Sequence, residues 1–149
     1  MAPDDTVAAA TLDIAAPADR IFELIADPAR QPEWDGNDNL AEAAEGQRVH
    51  GVGDVFDMRI SQGPMRENHV EEFEEGRLIA WRPSEPGARP PGHLWRWELT
   101  PVDDGHTRVT HTYDWSQLTD ENRMARARAT GEDALMSSLK KLATVAERA

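Results

Sequence analysis

The sequence contains no cysteine, and its 16 lysines and arginines are outnumbered by 28 aspartates and glutamates. Without cysteine the chain can form no disulfide, no thiol nucleophile and no thiolate metal site. The net charge of −12 repels phosphate backbones, so nucleic acid is not an expected partner. These absences argue against a disulfide-stabilised secreted domain and against a nucleic-acid-binding protein.

Long apolar runs and a basic start are also missing. No segment approaches the roughly 18 apolar residues that can cross a bilayer, so membrane insertion is not expected. The opening residues, MAPDDTV, carry aspartates where a secretory signal carries lysine or arginine, which favours a cytoplasmic protein. The 149 residues fit one domain, 1–149, that buries roughly two-thirds of the surface its unfolded chain exposes.

Helical patterns occupy the first and last parts of the chain. After a β-capable segment at 6–14, a helix is predicted from Pro17 to the Asp27-Pro28 stop, followed by a short helical turn over 29–34. Trp34 is expected to close that turn against the sheet or the last helix. The tail over 120–147 is predicted to be helical, with a break near Thr130 and Gly131, where Thr130 and Asp133 resemble a capping pair.

Between these helices the hydrophobic period changes to two, which is typical of strands. The connections are too short for crossover helices and contain turn residues, so we predict an antiparallel meander. The SQGP turn, the PSEPGARPPG loop and the 116–120 junction should then gather at one end of the sheet. The predicted strands cover residues 53–61, 66–74, 77–83, 92–101 and 106–116.

The alternation also predicts which side chains face inward. In the run 66–74, Val70 and Phe73 are out of phase, which requires a bulge or a divided choice of face. The last helix carries one apolar stripe, formed by Leu135, Leu139, Leu142 and Ala146. The inward strand residues are Phe56, Met58, Ile60, Ile79, Trp81, His93, Trp95, Trp97, Leu99, Val109, His111, Tyr113 and Trp115.

Several motifs carry a family likeness. The segments IAAPADRIFELIADPARQPEW, GHLWRWELTP and DDGHTRVTHTYDW, followed by a long C-terminal helix, resemble the START-like, or SRPBCC, superfamily and its bacterial polyketide cyclase/dehydrase-like branch. The resemblance implies an α+β helix-grip fold. In that fold a curved antiparallel sheet of about six to seven strands wraps around the C-terminal helix, with two short helices after the first strand and a ligand cavity between sheet and helix. It transfers no catalytic residue.

The inward aromatic surface suggests a site for a small hydrophobic or aromatic molecule, since flat rings offer large contact areas. The alternative is that these rings pack solidly on the helix. Buried polar groups such as His93 need partners, which a ligand would supply. The predicted ligand-binding residues are Phe56, Met58, Trp81, His93, Trp95, Trp97, His111, Tyr113, Trp115, Leu135 and Leu139.

Two classes of function follow. The first is binding of a polyketide- or lipid-like molecule; the second is a cyclase, aromatase or dehydratase in which His111 and Tyr113 exchange protons with the substrate. A co-chaperone-like interaction module is a third possibility implied by the resemblance. The histidines lack the spacing of a metal site, and no dinucleotide-binding motif is complete, so neither metal nor other cofactor is predicted. An open edge at the first strand permits a monomer or a homodimer.

Overall fold

The computed structural model describes residues 6–37 and 39–148. The acidic start that argues against a secretory signal lies outside these residues. The described residues form the strands β1 (Val7–Ile14), β2 (Leu40–Glu42), β3 (Val55–Ile60), β4 (Met65–Glu74), β5 (Leu78–Ser84), β6 (Leu94–Asp103) and β7 (His106–Asp114). The helices are α1 (Ala18–Ala26), α2 (Met124–Ala129) and α3 (Glu132–Glu147), with 3₁₀ turns at Pro28–Glu33 and Glu121–Arg123.

The strands form one antiparallel sheet in the order β1-β7-β6-β5-β4-β3-β2. This arrangement confirms both the predicted meander and the α+β helix-grip fold. The strand β2 was not predicted, because three residues within a polar segment are too few to show a period of two. In the part of the chain that the structure describes, no helix is both long enough and apolar enough to span a bilayer.

The phase conflict in β4 is resolved by a bulge. The pairing of β4 with β5 shifts register between Val70 and Glu72, so both Val70 and Phe73 reach the concave side. Val70 is buried, and the ring of Phe73 meets that of Phe22 edge-on at 5.7 Å. One extra residue therefore lets a single strand contribute apolar groups on both sides of the irregularity.

Helix α3 lies over one half of the concave face. Its predicted stripe, Leu135, Leu139, Leu142 and Ala146, is fully buried, and the helix packs on β1 and β7. At its end the carboxylate of Glu147 accepts a hydrogen bond from the backbone N–H of Ala15 at 2.9 Å. The helix is therefore positioned by the edge of the sheet that β1 and β7 form together.

The predicted break in the C-terminal helical segment is present, but the predicted capping pair is wrong. Helix α3 starts after Gly131 without a side-chain cap. The Thr130 hydroxyl instead donates to the carbonyl oxygen of Arg126, 2.9 Å away, at the end of α2. A threonine can bond either backward or forward along the chain, and here the backward carbonyl is the partner.

Two of the segments expected at one end of the sheet do touch. The backbone N–H of Thr119 donates to the carbonyl oxygen of Pro91 at 2.9 Å. Gly92 has φ of 125°, and a Cβ built on it would lie 2.0 Å from the carbonyl oxygen of Gln117. Only glycine satisfies both the backbone angle and this close approach.

We therefore expect Gly92→Ala to lower the free energy of unfolding by about 2 kcal/mol or more, because it adds a backbone clash to an unfavourable φ. Gly87→Ala is the matched control. Gly87 also has positive φ, 76°, but a Cβ added there would have no neighbour within 4 Å, so a loss of only about 1 kcal/mol is expected. Urea unfolding measures both variants, and equal losses would contradict the steric argument.

Candidate functional site

A cavity of about 310 Å³ opens between the sheet and the helical elements, at the lower end of the volumes typical of ligand sites. Its walls come from strands β2 to β7, the two 3₁₀ turns at Pro28–Glu33 and Glu121–Arg123, the loop between the first turn and β2, and helices α2 and α3. The lining residues are Gln31, Trp34, Asp35, Asn37, Asn39, Leu40, Met58, Ile60, Arg66, Asn68, Trp81, Pro83, His93, Trp95, Tyr113, Arg123, Arg126, Ala129, Thr130, Ala134, Leu135 and Ser138.

The predicted ligand-binding residues divide into two groups. Six of them line the cavity: Met58, Trp81, His93, Trp95, Tyr113 and Leu135. The other five, Phe56, Trp97, His111, Trp115 and Leu139, are buried away from its wall. Both alternatives for the inward aromatics are therefore present, a lined hollow in one region and a solid core beside it. Contact of any of these residues with a ligand stays a prediction.

The solid region contains a column of stacked rings. His111 lies between Trp95 and Trp97, with ring centroids 5.6 Å and 3.6 Å away and nearly parallel planes. Trp97 is completely buried. The Nδ1 of His111 is 3.3 Å from the carbonyl oxygen of Arg96; because a carbonyl only accepts, the proton of the neutral ring belongs on Nδ1. Burial lowers the pKa of His111 to about 3, although this hydrogen bond opposes the shift.

The geometry therefore gives His111 a packing role in the column. Its ring is not on the cavity wall, which is where a general acid or base would have to meet a bound molecule. Trp95 connects the two regions, since it stacks with His111 and also lines the cavity.

Two polar side chains of the wall are uncharged, and one of them has a buried atom without a hydrogen-bond partner among the described residues. His93 is 8% exposed, and its Nδ1 is buried with no hydrogen-bond partner among the described residues. Burial, with a smaller contribution from nearby arginines, lowers the pKa of His93 to about 4. Burial also raises the pKa of Tyr113 to about 12. Both side chains are therefore uncharged at neutral pH, and their rings lie 6.0 Å apart.

Trp34 has a structural contact as well as a place on the wall. Its Nε1 donates to the carbonyl oxygen of Leu24 at 2.6 Å, and its ring meets that of Trp97 edge-on at 5.0 Å. The expected role of closing the helical turn against the sheet is thus present. The lining position was not predicted, because only the fold brings the residue after the 3₁₀ turn over β6.

The loop after Trp34 closes the cavity from the side of α3. The Asp35 carboxylate accepts hydrogen bonds from the backbone N–H groups of Asn39 and Leu40, at 2.6 Å and 2.8 Å. The Gly36 N–H donates to Ser138 Oγ at 3.1 Å, and a Cβ on Gly36 would lie 2.5 Å from the backbone of Ser137. The repeated Asp, Gly and Asn of this segment signal such local turns, although not their place beside a cavity.

The cavity is also lined by three arginines that were not among the predicted ligand-binding residues. They are Arg66, Arg123 and Arg126. A signal existed for Arg66, because Arg66, Asn68 and Val70 share one face of β4 before the bulge, and Asn68 and Val70 are buried. The other two come from the turn before α2 and from α2 itself, where no strand phase applies. Among the described residues, no three acidic or histidine side chains converge as a metal site would require.

A family model described as "Polyketide cyclase / dehydrase and lipid transport" matches residues 6–147. The chain belongs to this family. The superfamily indicated by the sequence motifs is thereby confirmed. The resemblance implied a cavity between the sheet and the C-terminal helix; the cavity found here touches α3 at Ala134, Leu135 and Ser138 and is bounded also by the first 3₁₀ turn, the loop after it and α2.

Among curated proteins, the uncharacterised protein Rv0088 of Mycobacterium tuberculosis is 32% identical over 108 residues, covering 70% of this chain and 46% of that protein. The chain spans about half the length of the curated relatives it matches. The solved structure of MLL2253 from Mesorhizobium loti matches with a TM-score of 0.69 at 16% identity, over 95% of this chain and 97% of that one.

A second solved structure is DynU16, described as a putative protein in the dynemicin biosynthetic locus. It matches with a TM-score of 0.63 at 19% identity, over 96% of this chain and 48% of its own. At such identities the likeness to both solved structures shows the fold alone.

The lowered pKa values of His93 and His111 make the fold sensitive to mild acid. The unfolded histidines take up protons near pH 6.5, whereas the folded ones do so only near pH 4 and 3, so stability is complete above pH 6.5 and falls as the pH drops below it. We expect a loss on the order of 2 kcal/mol per histidine between pH 7 and pH 5.

Urea unfolding at several pH values checks this expectation. Because His111 still contributes, His93→Asn should reduce the dependence over this range by about half, and replacement of the exposed His50 in the same way should leave it unchanged. An equally steep dependence in the His93 variant would contradict the assignment.

Proposed function

We propose that this family member binds a small hydrophobic or partly aromatic molecule, polyketide- or lipid-like, in the cavity between its sheet and helices α2 and α3. The observation that carries the proposal is the contrast within one concave face. The region around Trp97 and His111 is packed ring on ring, while the adjoining region with Trp81 and Trp95 on its wall encloses about 310 Å³. The fold therefore packs aromatic rings closely in one region and leaves an open cavity directly beside that region.

The chemistry of the wall also supports a binding site. Trp34, Trp81 and Trp95 offer flat apolar surface, and Met58 offers a flexible, polarizable one. Neutral hydrogen-bonding groups such as Asn68 lie beside them, which is the mixture that orients ligands in apolar pockets. The family description, which includes lipid transport, is consistent with this proposal. A cytoplasmic location and the choice between monomer and homodimer stay predictions.

We expect Ala134→Trp to fill part of the cavity and weaken binding of 2-naphthamide, a neutral aromatic probe, by at least tenfold, about 1.4 kcal/mol. Ala134 lines the cavity and is only half-buried, so the added indole can enter the space without displacing the core. Isothermal titration calorimetry measures the affinity. Lys140→Trp, on the exposed face of α3, is the control and should bind as the unmodified protein does. Equal affinities in both variants would contradict the proposed location.

A cyclase or dehydratase is the second candidate. The observation that favours it is the pair His93 and Tyr113, which lie on the wall with ring centroids 6.0 Å apart, together with the His93 Nδ1, which has no hydrogen-bond partner among the described residues. Neutral imidazole can accept a proton and a neutral phenol can donate one, which are the two roles that ring closure with loss of water requires. The family description names cyclases and dehydrases as well as transport.

If this second activity exists, Tyr113→Phe should reduce turnover of a linear polyketone by about a hundredfold or more while changing its affinity less than about threefold. Chromatographic detection of the cyclised product measures turnover, and calorimetry measures affinity. Because the substitution deletes only a hydroxyl, the wall keeps its shape. Unchanged turnover in this variant would exclude Tyr113 as the proton donor.

A further inference from the structure

We infer that the molecule bound in the cavity carries an anionic group, of the carboxylate class, held by Arg66, Arg123 and Arg126. This inference rests on the proposed binding function and names the chemistry of the ligand's polar end.

The first observation is a reversal of charge. The chain as a whole carries a net charge of −12, yet the charged residues of the cavity wall are three arginines and one aspartate. The carboxylate of that aspartate, Asp35, already accepts hydrogen bonds from the backbone N–H groups of Asn37, Asn39 and Leu40. The wall therefore has a surplus of two positive charges in an otherwise acidic protein, which raises the local concentration of anions.

The second observation is that two of the three arginines have no carboxylate partner among the described residues. On the outside of the sheet, arginines meet carboxylates closely: Arg96 lies 2.7 Å from Glu72, and Arg108 lies 2.9 Å from Asp13. At the cavity, Arg123 lies 3.3 Å from Asp120. Arg66 and Arg126 contact no carboxylate within 4.0 Å among residues 6–37 and 39–148.

The hydrogen bonds of these two arginines are with neutral groups. Arg66 donates to its neighbour's carbonyl oxygen, that of Met65, at 3.2 Å, and Arg126 donates to the Asn39 side-chain oxygen at 3.1 Å. Each guanidinium has five N–H donors, and most of them are not used by hydrogen bonds among the described residues, so they are open to solvent or to a ligand.

The third observation is that the positive charges of the three arginines affect one another and the neighbouring His93. The pKa of Arg66 is lowered by burial and by the positive charges of Arg123 and Arg126, while Glu85 opposes this. The same three arginines, together with Arg82, also contribute to the low pKa of His93. Like charges gathered beside a buried neutral histidine are unfavourable without a counterion. A carboxylate would remove that repulsion and accept paired hydrogen bonds in the geometry that guanidinium groups favour.

A fourth observation extends the site inward. His93, more than nine-tenths buried on the same wall, has an unpartnered Nδ1 among the described residues. A ligand that places its anionic end at the arginines and a second polar atom at His93 would have its remaining body against Trp95 and Tyr113. The expected ligand is therefore amphipathic, with one charged end and an aromatic or aliphatic body.

Calorimetry with two matched pairs of probes tests this inference. The pairs are 2-naphthoate with 2-naphthamide, and decanoate with decanamide, so each pair differs in charge while the two pairs differ in body. At pH 7.5 and low ionic strength, we expect the acid of the better-bound pair to bind at least tenfold more tightly than its amide. Added salt should reduce this preference, since it screens the arginines.

The variants Arg66→Gln and Arg126→Gln should each reduce the preference at least threefold, because losing a positive charge weakens binding of the acid more than binding of the neutral amide. Arg128→Gln is the control, because it removes the same charge from the same short helix α2 at a position off the cavity wall. It should keep the preference. A preference lost equally in the control would overturn the inference in favour of general electrostatic attraction.

The two proposals fail in different ways. If amide and acid bind equally well, the anion inference is wrong and the proposed binding function stands. If no member of either pair binds, the binding function fails and the inference fails with it. If only the decanoate pair shows the preference, the anionic end is supported and the body is aliphatic.

Discussion

The packing of helix α3 on only one half of the concave face is the interaction on which the rest of the structure depends. Strand β1 pairs with β7 along its whole length, from Val7 opposite Asp114 to Ile14 opposite Thr107, and α3 lies on these two strands. Leu139, Leu142 and Ala146 of its apolar stripe are buried in the core, whereas Leu135, near the start of the helix, also lines the cavity. Inward side chains of β3 to β5 instead line the hollow, together with residues of the 3₁₀ turn, the loop after Trp34 and helix α2.

The aromatic column forms the boundary between the packed half and the hollow half. Trp97, His111 and Trp95 stack in register across β6 and β7, where Trp97 is paired with His111 and Trp95 with Tyr113. The column ends at Trp95 and Tyr113, whose rings lie 4.3 Å apart and already belong to the cavity wall. Rigid neighbours of this kind hold a binding surface in shape before a ligand arrives, which reduces the entropy lost on binding.

The charged side chains of the interior lie around the hollow half, whereas the polar groups of the packed half are neutral, such as the imidazole of His111. The imidazole of His93, the phenol of Tyr113 and the three guanidinium groups all need hydrogen-bond partners or solvent, and the hollow gives them access to solvent. An amphipathic ligand would satisfy the same groups with its own polar end. The polar side chains therefore lie beside the hollow because only there can solvent or a ligand satisfy their hydrogen bonds.

Local pattern was enough to predict the meander, the inward phase of β6 and β7 and the stripe of α3, because these features depend on neighbours within about ten residues of each other. It also located the irregularity in β4, but left open whether a bulge or a divided choice of face resolves it. Prediction from local pattern failed at Thr130, whose hydroxyl could bond either to the preceding or to the following turn of backbone. It also failed for β2, because a strand of three residues is too short to show a period of two.

The division of the inward residues into cavity and core could come only from the tertiary structure. Trp95 and Trp97 have the same phase on the same strand, and nothing in the sequence separates one that lines the hollow from one that is wholly buried. The separation depends on how far α3 reaches across the sheet, and on which distant segments fill the remaining space. The convergence of Arg66 from β4 with Arg123 and Arg126 from the C-terminal segment arises in the same way, because burial and charge at a site are sums over elements that are far apart in sequence.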